Sequence, residues 1–163
     1  MTLALALLIA PFLIQGLAIT FDEFYFHHKR GLGWWERLGH PLDTTAILIC
    51  YLFVLNNSPS FQNILIFISL STFSSLLITK DEFVHNAECG PMEQWLHSIL
   101  FIIHPVTLIA LGLMWANTFQ LSLNEVALFN MFIKGQFIFI CAFLSYQILY
   151  WSIPWKKIIS EQK

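Results

Sequence analysis

The chain has 163 residues, of which 57% are hydrophobic and 11% charged, with a mean hydropathy of +0.68 and a formal net charge of -2. Soluble domains carry about a quarter of their residues as charges, so this composition argues against one. The small negative charge, with no basic patch, phosphate loop or dinucleotide fingerprint, argues against nucleic-acid or nucleotide binding.

The first apolar segment, Leu3 to Thr20, has no basic stretch before it and runs into Phe21, Asp22 and Glu23 without a small-residue cleavage site. It therefore reads as a retained helix, not a signal peptide. A polar stretch with two glycines, Gly31 and Gly33, follows. Thr44 to Leu55 is apolar but short, and reaches the roughly 20 residues of a spanning helix only if the helix begins near Trp34. Asn56-Asn57-Ser58-Pro59-Ser60 reads as a tight turn. Ile64 to Thr79 is the third apolar segment. A second polar stretch is broken by Gly90-Pro91, Ile99 to Ala116 is the fourth segment, and Phe129 to Trp151 the fifth. Lipid leaves no backbone group unpaired, and these runs lack the alternation of barrel strands, so the spans are expected to be helices.

Lys29, Arg30, Arg37, Lys80, Lys156, Lys157 and Lys163 fall on one side of this five-span arrangement, and the opposite side has no Lys or Arg. The positive-inside rule then places both polar stretches and the carboxyl terminus in the cytoplasm and the amino terminus outside. Lys134 alone lies within a span, where it must snorkel or face protein. The compact design fits a bacterial inner membrane.

The two polar stretches share a pattern, F-x-H-x4-G-x2-E-x3-H. It reads Phe26, His28, Gly33, Glu36, His40 in the first copy and Phe83, His85, Gly90, Glu93, His97 in the second. Acidic pairs precede both, Asp22-Glu23 and Asp81-Glu82, though aligning them needs a gap. The repeat predicts an all-α integral membrane protein in one domain: two repeated helical hairpins (about 1–56 and 60–117) form a four-helix bundle, and an extra helix (about 124–153) packs on it. Equal orientation of the two units implies a pseudo-two-fold axis along the membrane normal.

Residues three or four apart share a helix face. That spacing pairs Glu36 with His40, Glu93 with His97, and both Asp81 and Glu82 with His85. His104 follows His97 by two turns, which would extend the site inward. His27 and His28 compete for one place. The ungapped repeat selects His28, the spacing to Glu23 selects His27, and the repeat is given precedence. The expected metal ligands are Glu23, His28, Glu36, His40, Glu82, His85, Glu93, His97 and His104, with Glu23, Glu82 and Glu88 as the carboxylates closest to the chemistry. Asp22, Asp43 and Asp81 would orient ligand histidines, while Lys29, Arg30 and Arg37 would set topology. Three cysteines, Cys50, Cys89 and Cys141, form no CxxC knuckle and no disulfide framework. Histidine with carboxylate suits two borderline or hard divalent ions, among them iron, manganese and zinc, and ligand type alone does not separate iron from manganese.

Asp81-Glu82-Phe83-Val84-His85 resembles the DExxH element of ferritin-like di-iron carboxylate proteins. That resemblance implies oxygen activation at a carboxylate-bridged iron pair, with Glu23 and Glu82 as bridging or terminal carboxylates. The function expected is a membrane-embedded di-metal oxidoreductase of the oxidase, hydroxylase or desaturase type. Its substrate would be a lipid or other lipophilic small molecule entering from the bilayer, among the membrane lipids that surround it. Membrane desaturases carry HxxHH boxes, which are absent here. Three alternatives have different chemistry: a zinc hydrolase with Glu88 as base, a haem protein using histidine pairs, and a non-enzymatic metal-binding protein.

Overall fold

A computed structural model of the protein describes residues 3–83, 85, 89–118 and 123–152. They are helical apart from short connections at 31–33, 57–60 and 89–90, with no strand among the described residues, and five helices are long and apolar enough to cross a membrane. Helix α1 (Leu3–Phe21) passes into a π-helical segment (Asp22–His27) and a last α-turn (His28–Arg30). Helix α2 is Trp34–Asn56 and α3 is Phe61–Leu77, which tightens into a 3-10 turn at Ile78–Asp81. Helix α4 is Pro91–Ala116 and α5 is Leu123–Ser152.

The boundaries follow from local chemistry. Helix α2 starts at Trp34, as its required length predicts, and Ser60 caps α3 by accepting a hydrogen bond from the Asn63 amide at 3.2 Å. Gly33 (φ -65, ψ 166) and Gly90 (φ -73, ψ 164) enter α2 and α4 with nearly the same extended backbone.

Helix α1 packs on α4, α4 on α3, α3 on α2, and α2 on α5. The ring closes through aromatic contacts of α5 with α1 and the segment after it, Phe12 with Phe132 (5.2 Å) and Phe24 with Tyr146 (5.2 Å). The fifth helix is thus part of the wall and not an addition outside four others. Its inward stripe is Phe129, Ile133, Ile140, Gln147 and Trp151, steps of three or four residues or their sum. Cys50, Tyr51, Leu108, Leu111 and Ile133 form the driest part of the core. Helices α3 and α4 approach closely at Gly112, where a Cβ would lie 2.6 Å from the Phe67 ring. Large apolar side chains such as Leu17, Phe73, Ile102 and Leu149 point outward along the spans, and Lys134 is exposed on α5.

Candidate metal centre

At the end of α1 the π-helical segment reaches one residue further per hydrogen bond than an α-helix, which rotates the residues that follow. Asp22, Glu23 and His27 all turn inward, at 6%, 2% and 1% exposure, while Phe24 and Tyr25 face out. The next residue, His28, turns toward α5. Its ring stacks on Tyr150 at 4.8 Å, and its Nδ1 donates to the Glu23 carbonyl at 3.2 Å. The expectation of His28 is therefore corrected: His27 enters the cluster, because the π-turn shifts the register that the ungapped repeat assumed.

Helices α2 and α4 begin alike. Glu36 and Glu93 each fall in the first turn after the glycine, and the Gly33 amide donates to Glu36 Oε2 at 3.0 Å. One turn later come His40 and His97. Glu36, Glu93 and His97 are buried, and His40 is partly so.

Before the second cluster the chain tightens instead of widening. After the 3-10 turn, Asp81 is buried against α2, accepting from Trp35 Nε1 (2.9 Å) and Lys80 Nζ (2.9 Å). Gly39 makes room for it, since a Cβ there would sit 2.8 Å from Asp81 Oδ1. Lys80 also holds Asp43 at 2.7 Å, so Asp43 and Asp81 bind a lysine and do not orient histidines. Glu82 is exposed and outside the cluster, a second correction. Of the described residues of that DExxH element, His85 joins the clustered histidines, whereas Asp81 is buried against Lys80. Glu88 lies outside the described residues.

The four inward imidazoles form a closed quadrilateral. Ring centroids are 4.7 Å apart for His27–His40 and 4.0 Å for His85–His97, then 6.1 Å for His40–His85 and 6.2 Å for His27–His97. Carboxylates link the two pairs. Asp22 Oδ2 lies 3.1 Å from His97 Nε2 and 3.2 Å from His27 Nε2, and Glu36 Oε1 lies 3.5 Å from His85 Nε2. Glu23 Oε2 faces His27 Nδ1 at 3.3 Å, while its other oxygen accepts from Trp151 Nε1 of α5 at 2.6 Å. Arg30 bridges the two halves, pairing with Glu36 (2.6 Å) and Glu93 (2.9 Å). The sequence suggests that Arg30 sets topology and offsets nearby carboxylates; the fold shows which carboxylates, Glu36 and Glu93.

Asp22 Oδ1, His97 Nδ1 and His85 Nδ1 are buried with no hydrogen-bond partner, and His27 Nε2 and His85 Nε2 reach only the carboxylates of Asp22 and Glu36, at 3.2 and 3.5 Å. Buried polar atoms are nearly always satisfied, and a cation or ordered water in this cluster would satisfy them. Two sets without a common member have donor atoms within 4.8 Å of one another: Asp22, His27, Glu93, His97, and Glu36, His40, His85. Donors on opposite sides of an ion bound at about 2.1 Å are about 4.2 Å apart, so small movements would close either set. Glu23 joins His27 and His40 in a third set that connects these two. With four carboxylates (Asp22, Glu23, Glu36, Glu93) against the one Arg30 guanidinium, divalent cations would offset the excess negative charge.

Cys89 approaches His85 and His97. Burial raises its thiol to about 12, partly offset by Arg30, so in the metal-free protein it is a thiol and not a thiolate. His104 is not in the cluster. Its Nδ1 accepts from Gln15 Nε2 at 2.9 Å, and its Nε2 faces Ser74 Oγ at 3.0 Å. Both ring nitrogens are occupied by neutral partners, which corrects its placement among the ligands.

Sequence reasoning placed Asp22 beside the histidines as an orienting group, not among the ligands, and missed that Arg30 joins the two halves. The Glu23–His27 spacing was the available signal for the first inward turn. Compared with protein-family models, with curated proteins and with solved structures, the chain matches none.

Proposed function

We propose that this chain is an integral membrane protein that holds two divalent metal ions at one end of its helix bundle and oxidises a lipophilic molecule there. The carrying observation is the buried quadrilateral of His27, His40, His85 and His97, interleaved with four carboxylates and left with unpartnered donor atoms. One ion would be held by Asp22, His27, Glu93 and His97, the other by Glu36, His40 and His85, with Glu23 between them. Mixed imidazole and carboxylate donors without a thiolate set suit iron, manganese or zinc.

The repeat supports a shared origin for the two halves: each contributes one close histidine pair and one Gly-x-x-Glu helix start. The halves differ in their acidic pairs, since only Asp22 and Glu23 reach the centre. The DExxH likeness therefore adds little to the iron reading, which rests on donor chemistry. A redox-active pair would supply oxygen activation. The protein's own part is to shield the site from water, hold Glu23 through Trp151, and balance charge through Arg30. The apolar exteriors of the five helices support insertion in a bilayer, and the Lys and Arg distribution supports a cytoplasmic position for the cluster.

Metal analysis of purified protein, with an optical spectrum, tests this reading. About two irons per chain and no Soret band is the expected result. A Soret band would replace it with haem binding, a single zinc with hydrolase chemistry, and no bound metal would overturn it.

A further inference from the structure

A cavity of about 150 Å³ begins among the clustered histidines and continues along the bundle. On α4 its wall runs from His97 to Thr107, a span of about 15 Å at the helical rise. A dry cavity of that volume admits a benzene-sized molecule when compact. Spread over such a length, that volume leaves a narrow cross-section, which suits one hydrocarbon chain better than a fused-ring molecule. Away from the cluster the lining is apolar, with Phe12, Ile47, Tyr51, Leu100, Ile140 and Phe143.

Several polar side chains line it too, and three of them are internally matched. Thr44 donates to Gln147 Oε1 at 2.7 Å, and Thr107 to the Ile103 carbonyl at 2.8 Å. Gln15 differs. Only 5% exposed, it spends its amide N–H on His104, and its Oε1 is buried with no partner. The His104–Ser74 contact fixes the ring that fixes this amide. An acceptor is thereby held in the cavity wall seven residues before Asp22 on the same helix, about 10 Å from the cluster.

We infer that the cavity binds one unbranched hydrocarbon chain carrying a hydroxyl group, with the hydroxyl donating to Gln15 Oε1 and the chain extending from there to the metal centre. The inference rests on the proposed function only for what happens at the far end of the chain. Binding itself needs no metal.

The test uses the full-length protein in lipid nanodiscs, a photoreactive diazirine analogue of 1-octanol, and peptide mass spectrometry to locate the label. Labelling is expected on α1 and α4 residues that line the cavity. Unlabelled 1-octanol should displace the probe at roughly five-fold lower concentration than octyl methyl ether, the net worth of one hydrogen bond, and cholesterol should not displace it. Gln15→Met should keep the labelling and lose the alcohol preference. Stripping the metal with a chelator should keep both, because binding needs no ion; protein that purifies without metal yet labels as expected would sink the metal reading alone. Equal displacement by alcohol and ether in the unaltered protein, displacement by cholesterol, or label confined to outward-facing residues would each overturn the inference. The alcohol-to-ether ratio of the unaltered protein decides the matter even if Gln15→Met does not fold.

Discussion

His97 and His104 stand two turns apart on one face of α4 and are equally buried, at 4% and 5% exposure, yet they face different neighbours. The antiparallel register of α1 against α4 sets Asp22 opposite His97 and Gln15 opposite His104. Beside His97 are an acidic oxygen, two more imidazoles and a ring nitrogen with no partner; beside His104 are an amide and a hydroxyl that use both nitrogens. Equal spacing and equal burial therefore produce a metal-type donor at one level and a neutral clamp at the other. What opposes a histidine decides its use.

The sharpest way to break this contrast is to remove each ring in turn. His97→Ala should lose at least one of the two proposed ions per chain, whereas His104→Ala should keep both, as read by elemental analysis of purified protein. Equal losses would make His104 a ligand after all.

Arg30→Gln comes next in size. With Glu36 and Glu93 left facing each other without the guanidinium, the metal-free protein should lose about 3 kcal/mol, at the low end for breaking a buried pair because Arg30 is 22% exposed. The metal-loaded protein should be much less affected, since the ions would take over the charge balance. Thermal unfolding in detergent with and without metal checks this, and an equal drop in both states would contradict a shared electrostatic role.

His104→Ala should itself cost about 2 kcal/mol, because Gln15 and Ser74 would lose a buried partner. The expected signature is a lower unfolding midpoint at unchanged metal content. Smallest of all, Glu82→Gln should leave metal content unchanged and stability within about 0.5 kcal/mol, as expected for an exposed side chain. His28→Phe should likewise retain the metal. Loss of metal in either would restore the ungapped repeat as the better guide to the ligands.

Much of the centre was legible in the residues. Glu36, His40, Glu93 and His97 sit at i,i+4 spacing on α-helices that start cleanly after Gly33 and Gly90, so their shared face could be read by counting. Counting failed where the helix changed its period. A π-segment at Asp22–His27 and a 3-10 turn at Ile78–Asp81 rotate their side chains in opposite senses relative to an α-helix, which exchanged His28 for His27 and sent Asp81 to Lys80. Neither period is announced by composition.

The sequence alone determined that the chain is helical, that five stretches are long and apolar enough to span a membrane, and that histidine and carboxylate gather in two matching places. Those properties come from hydropathy and local spacing, which each segment carries by itself. Tertiary structure alone decided which histidines meet, that Arg30 joins the two halves, that α5 braces Glu23, and that Gln15 takes His104 away from the centre. These are contacts between residues tens of positions apart, fixed by helix register and packing, and no single segment encodes them.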